Sequence, residues 1–173
     1  MSTNIHVLNY SKVTSNETLE KYMSNFIKYL IKRNIDNLTV NYNNELYYEE
    51  VKQIIDRLPV SNNLIDSLDL TLILNNCNGD VFAIVGEDLP TDNPWGDATD
   101  FIAVVSCTLE KNIWHEVAHL IGADDHYDKN TNEVLDICMD DNCIMQFGKD
   151  EGFLCASTIY EIKLHLNNIS KKG

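Results

Sequence analysis

Apolar and polar residues alternate from Ile5 to Tyr10, a period that places Ile5 and Val7 on one side of a strand and His6 and Leu8 on the other. His6 reads as a strand-end or surface histidine. Thr14-Ser15-Asn16-Glu17 carries the signature of a capping box. Behind it Leu19, Met23, Phe26, Ile27, Leu30 and Ile31 recur at helical spacing, which predicts an amphipathic helix packed on a core. Lys32 and Arg33 suit the negative end of that helix, and Asn34 is placed to end it. Leu38 to Tyr42 reads as a second strand. Val51, Ile54, Ile55 and Leu58 predict a helix from about Tyr47 to Leu58, stopped by Pro59.

The pattern then becomes denser in apolar residues. Leu68 to Leu74 reads as a mostly buried strand, Val81 to Val85 as another, and Phe101 to Cys107 as a third. Residues 86–100 between the last two are polar and read as a long loop. Its carboxylates suggest calcium, but no EF-hand spacing is present and a solvated loop is expected. Trp95 there either lines a cleft or anchors the loop. A helix follows from about Leu109 to Ile121. Polar and acidic sequence then runs to Asn142. Thr158-Ile159-Tyr160-Glu161 is a second capping box and predicts a last helix, with Ile159, Ile162, Leu164 and Leu166 largely buried and His165 at its surface. The alternation of strands and helices predicts an α/β fold: a mixed, mostly parallel, twisted sheet of five strands with helices packed on it. Residues 1–173 are expected to form a single domain.

Composition narrows the function. With 13 basic against 27 acidic residues the formal charge is −14, which disfavours nucleic acid and anionic membranes as partners. Hydrophobic residues make up 44 %, enough for a core but too dispersed for a membrane span. A monomer is expected. The first residues lack a basic region and a long apolar run, so they do not read as a signal peptide. The protein is therefore expected in the cytoplasm as written, or secreted if the chain is a trimmed mature domain.

Chemistry is concentrated in His115-Glu116-Val117-Ala118-His119-Leu120-Ile121-Gly122-Ala123-Asp124-Asp125-His126-Tyr127. On a helix His115 and His119 lie one turn apart on one face, so their imidazoles can hold one metal ion with Glu116 beside it as general base. Zinc is the natural ion, because its catalytic sites take nitrogen and oxygen ligands and keep one position open. Gly122 breaks the helix, and the turn directs a further donor back to the metal. Spacing favours Asp125 as that third ligand. The frequency of imidazole as a zinc ligand favours His126. If Asp125 is the ligand, His126 falls to the cleft rim or behind the site.

His115, Glu116, His119, Gly122, Asp125 and Met145 together resemble the metzincin clan of zinc metalloendopeptidases, and Asp125 resembles the snapalysin-like variant with aspartate as third ligand. The resemblance spans Trp114 to Met145. It implies hydrolysis of peptide bonds at one catalytic zinc, with Glu116 as the base and Met145 as the apolar floor of the site. Phe147 would shape the adjoining pocket, and Tyr127 either hydrogen-bonds the oxyanion or packs on its loop. It also implies that Val81 to Val85 is an antiparallel edge strand to which an extended peptide or protein substrate adds. Cys138-x-x-x-x-Cys143-x-Met145 is similar to archaemetzincins, which hold a second, structural zinc on four cysteines. Here Cys155 is followed at the fourth position by Thr158, which argues against a four-cysteine site and leaves one zinc expected. A disulfide from Cys155 to Cys143 or Cys138 is the alternative, and Cys77 and Cys107 either pair or stay as buried thiols. The competing function is a non-catalytic zinc-binding interaction protein on the same scaffold. Glu116 argues against it, since a purely structural site needs no carboxylate there.

Overall fold

The computed structural model describes residues 3–9, 14–42, 80–86, 96–98, 102–106, 109–149 and 151–170. The helix expected at Tyr47–Leu58, the strand at Leu68–Leu74, and Cys77, Trp95 and Cys107 lie outside them. Within them the order is β1 (Thr3–Leu8), α1 (Asn16–Ile31), β2 (Leu38–Tyr42), β3 (Asp80–Gly86), β4 (Gly96–Ala98), β5 (Ile102–Ser106), α2 (Glu110–Leu120) and α3 (Ala156–Ser170). The strands form one sheet in the order β2-β1-β3-β5-β4. All neighbours are parallel except β4, which runs antiparallel to β5. The chain is thus a mixed α/β protein, with Ile5, Val7, Ala103 and Val105 buried between sheet and helices.

Two expectations about the sheet are corrected here. Val81 to Val85 is not an edge: β3 is hydrogen-bonded on both sides, to β1 and to β5, so its backbone groups are already taken and no peptide can add there. The antiparallel edge is Gly96–Ala98, inside the stretch read as loop. Its three residues are too few for an alternation of apolar and polar side chains to show in the sequence.

Helix α1 is capped one residue later than the sequence box suggests. Ser15, not Thr14, is the N-cap, and its hydroxyl accepts the Thr18 amide at 3.2 Å. At the other end Asn34 takes φ of 61° and the Ile35 amide returns to the Leu30 carbonyl, a left-handed stop that asparagine tolerates. Leu19, Met23, Phe26 and Leu30 form its buried stripe. That stripe holds α2 in place. The Trp114 indole packs against Phe26 and Tyr29 at 5.4 and 5.3 Å between ring centroids and donates its N–H to the Tyr22 carbonyl. Tyr29 in turn donates its hydroxyl to the Leu154 carbonyl at 2.7 Å, which ties α1 to the entry of α3.

Helix α3 starts at Ala156, so the residues of the expected capping box lie within it. Thr158 is fully buried instead of capping, because its hydroxyl is used by the cysteines described below. Ile159, Ile162 and Leu166 are buried as expected, but Leu164 is half exposed, falling on the outer face of α3. Among the described residues no helix is long and apolar enough to cross a membrane.

Candidate metal centres

Helix α2 carries His115, Glu116 and His119 and ends at Leu120. The reversal that follows depends on Gly122. Its φ is +99°, and a Cβ placed there would run into the His165 side chain of α3. Gly122→Ala is therefore expected to destabilise the fold by about 1–3 kcal/mol. A urea midpoint equal to that of the wild type would contradict this.

The turn brings Asp125 back over the helix. Its Oδ1 lies 3.4 Å from His115 Nε2 and 3.1 Å from His119 Nε2, and the two Nε2 atoms are 3.1 Å apart. The other ring nitrogens are held by backbone. His115 Nδ1 donates to the Ile144 carbonyl at 2.7 Å and His119 Nδ1 to the Ala123 carbonyl at 2.9 Å. A carbonyl only accepts, so both Nδ1 atoms carry a proton, and in the neutral rings both Nε2 lone pairs point at Asp125. Three electron-pair donors facing one another suit a cation. Their separations match the ~3.3 Å expected between nitrogen or oxygen ligands ~2.0 Å from a tetrahedral zinc. When the two Nε2 atoms carry protons in place of a metal, burial still pushes the Asp125 carboxyl pKa up, but the hydrogen bonds from His115 and His119, the charge of His119 and the Lys129 ammonium outweigh it. The net result lies well below the usual carboxylate range. Lys129 holds the second oxygen, Oδ2, at 3.0 Å, which leaves Oδ1 for the histidine side. Glu116, only 3 % exposed, sits on the same helix. Met145 is fully buried, while Phe147 is exposed and meets the half-buried Tyr127 ring edge-on at 5.5 Å.

A second set of donors was not expected. His126, Cys138, Cys143 and Cys155 are all buried, and one donor atom from each lies within 4.8 Å of the others. Cys138 and Cys155 sulfurs are 3.8 Å apart, and His126 Nδ1 is 3.4 Å from the Cys155 sulfur and 3.7 Å from that of Cys143. A tetrahedral zinc with ~2.3 Å bonds to sulfur and ~2.0 Å to nitrogen would set its ligands ~3.5–3.8 Å apart, so this set fits the ion as well. His126 thus belongs neither to the rim nor to the first cluster. It takes the fourth place in a cluster with three cysteine thiols. The disulfide named as the alternative for Cys155 is not formed: Cys138, Cys143 and Cys155 are free thiols.

The sulfurs are held by surrounding polar groups. Thr158 Oγ1 lies 3.4 Å from the Cys155 sulfur and 3.7 Å from that of Cys143, and the Gln146 side-chain amide donates to the Cys138 sulfur at 3.3 Å. Burial raises the Cys143 thiol to about 12. Burial acts the same way on Cys155, but the Thr158 hydroxyl and amide and the neighbouring Cys143 and Cys138 outweigh it and lower its pKa. A metal held here would have to displace the Cys143 thiol proton. The sequence did contain the signal for this cluster. Cys138, Cys143 and Cys155 were read as three positions of an archaemetzincin-like site, but the fourth was sought at Thr158, and His126 was read as a competitor of Asp125.

The segment 143–146 belongs to both clusters. Cys143 supplies a sulfur to one, the Ile144 carbonyl orients His115 of the other, and the Met145 carbonyl accepts the His126 amide at 2.8 Å.

The fold of the chain is similar to that of an archaemetzincin. The solved structure of archaemetzincin from Methanopyrus kandleri, at 1.5 Å resolution, superimposes with a TM-score of 0.54 and covers 96 % of each chain at 15 % identity. At that identity the likeness to archaemetzincin concerns the path of the chain and leaves the chemistry to the residues themselves. No protein-family model matches the sequence, and no curated protein sequence matches it either.

Proposed function

We propose that the protein is a zinc-dependent endopeptidase. His115, His119 and Asp125 would hold the catalytic ion, and His126, Cys138, Cys143 and Cys155 a second, structural one. The observation that carries the first part is the pair of backbone-anchored histidines whose Nε2 atoms converge with Asp125 Oδ1 at 3.1–3.4 Å. The archaemetzincin-like fold supports it, since the name of that neighbour denotes a metallopeptidase. The donor chemistry of the second cluster supports the structural ion. Three buried cysteines and a histidine form a closed set of four protein ligands, leaving no position for substrate.

Bound zinc supplies a Lewis acid that brings the pKa of water to ~7 and takes up negative charge from a peptide carbonyl. The chain's own residues do the rest. Glu116, next to His115, takes the proton of the attacking water and passes it to the leaving amine. Burial of Glu116 keeps this carboxylate away from bulk solvent. Ile144 and Ala123 carbonyls fix the two rings so that neither has to reorient when charge develops. On this reading the fully buried Met145 would give the centre an apolar floor, and Tyr127 and Phe147, packed edge-on against each other, would shape the substrate pocket. β4, the last strand of the sheet among the described residues, would offer backbone groups to an extended peptide, in the place first assigned to Val81–Val85.

The test is removal and return of the metal. The purified protein is expected to contain two zinc ions per chain by elemental analysis and to cleave a denatured protein substrate. A chelator should abolish cleavage, and one equivalent of zinc returned to protein that still holds its thiolate-bound ion should restore it. Full activity in a metal-free sample would sink the reading. Two bound ions without cleavage of any peptide or protein would leave a metal-binding interaction protein in its place.

A further inference from the structure

One face of α3 backs both clusters. Cys155, just before the helix, donates a sulfur, and Thr158 lies behind two sulfurs. Glu161, one turn on, is next. His165, a further turn along, closes over Gly122. The spacing of three, three and four residues sets all four side chains along one stripe. Glu161 has the least ordinary partners. Its Oε1 and Oε2 lie 3.2 and 3.4 Å from His126 Nε2, and Oε2 accepts the Asp124 backbone N–H at 3.2 Å. One carboxylate therefore grips the residues on both sides of Asp125.

We propose that Glu161 is a positioning residue that couples the two centres, aiming His126 at the cysteines while holding the turn that presents Asp125 to His115 and His119. A carboxylate accepts and does not donate, so Glu161 requires the His126 proton on Nε2 and leaves the Nδ1 lone pair facing the sulfurs of Cys155 and Cys143. A carboxylate behind a ligating imidazole also raises its basicity and fixes its plane. His126 is completely buried, so no water can replace Glu161 at that nitrogen without opening the site. The same carboxylate binds the Asp124 amide, and the His126 amide is bound by Met145. Asp125 is thus carried on a turn tied down at both ends, and one of those ties is Glu161. The inference rests on the proposed function, because it takes both clusters to be metal centres.

Cobalt(II) in place of zinc reads the two centres separately. Thiolate ligation gives an intense charge-transfer band in the near ultraviolet, while the cluster of His115, His119 and Asp125 gives only weak visible bands. Each band is titrated against a competing chelator in the wild type, Glu161→Gln and Glu161→Ala. The expected result for Glu161→Ala is an affinity loss on the order of 10–100-fold at the thiolate centre. A measurable loss is expected at the histidine–aspartate centre as well. Glu161→Gln, which keeps one acceptor oxygen, should fall between. It also guards against an alanine variant that fails to fold, since the isostere keeps the size of the side chain. Unchanged affinities with only a lower Tm would reduce Glu161 to a stabilising surface ion pair and overturn the proposal. So would a loss confined to the thiolate centre, with an active wild type that fills both. A wild type that fills only the thiolate centre would overturn the peptidase reading itself, and with it any coupling.

Discussion

Glu116→Ala is expected to retain both metal ions and lose nearly all peptide hydrolysis, with kcat down by about 10²–10⁴-fold. Glu116 is absent from the ligand cluster of His115, His119 and Asp125, so its removal leaves the donors intact. The rings stay anchored through Nδ1 to Ile144 and Ala123, contacts that Glu116 does not make. What is lost is the buried base. Removal of a proton-transfer group affects the chemical step and spares ground-state binding, so KM should change little. Elemental analysis beside steady-state kinetics separates this from a folding defect. An alanine variant that loses its metal, or one that keeps wild-type kcat, would remove Glu116 from the role of base.

Cys143→Ser is expected to cost one metal ion and a large part of the stability. Cys143 is fully buried and its segment serves both clusters. A serine hydroxyl is a poor zinc ligand and would leave three donors around the position. A ligand at a thousandfold excess over its Kd stabilises the native state by about 4 kcal/mol. For a chain of this size each kcal/mol moves Tm by roughly 2–4 °C, so a drop on the order of 10 °C is expected. Differential scanning calorimetry with metal analysis measures both. The fall should vanish when wild type and variant are compared after complete chelation, because the difference arises from metal binding. A deficit that survives chelation would mean that Cys143 stabilises through packing alone.

The histidine–aspartate centre was largely legible in the sequence. His115 and His119 are four residues apart on one helix, and helical geometry alone puts them on one face. Gly122 at φ +99° makes the turn that the spacing implies, and Asp125 is the side chain it returns. The ring orientations were hidden, because the carbonyl that holds His115 comes from Ile144, twenty-nine residues away. The cysteine cluster was legible only in part, since its fourth donor was missed for a related reason. His126, Cys138, Cys143 and Cys155 all come from the connection between α2 and α3, where no helical or strand period relates one position to the next. Thr158 looked like a helix cap because capping and thiolate support ask for the same hydroxyl, and local sequence does not distinguish them.

The elements with a strong period could be read from the residues: the apolar stripe of α1, the strands β1 and β2, the histidine-bearing face of α2 and the stop at Gly122. Each follows from chain stereochemistry within a few residues, which the pattern of side chains records directly. Tertiary structure alone decided that β3 is interior and β4 the edge, that His126 joins the cysteines and leaves Asp125 to the histidines, and that Glu161 reaches both. Those outcomes depend on which backbone hydrogen bonds are already taken and which buried donors meet across long loops. Both are properties of packing between segments distant in sequence.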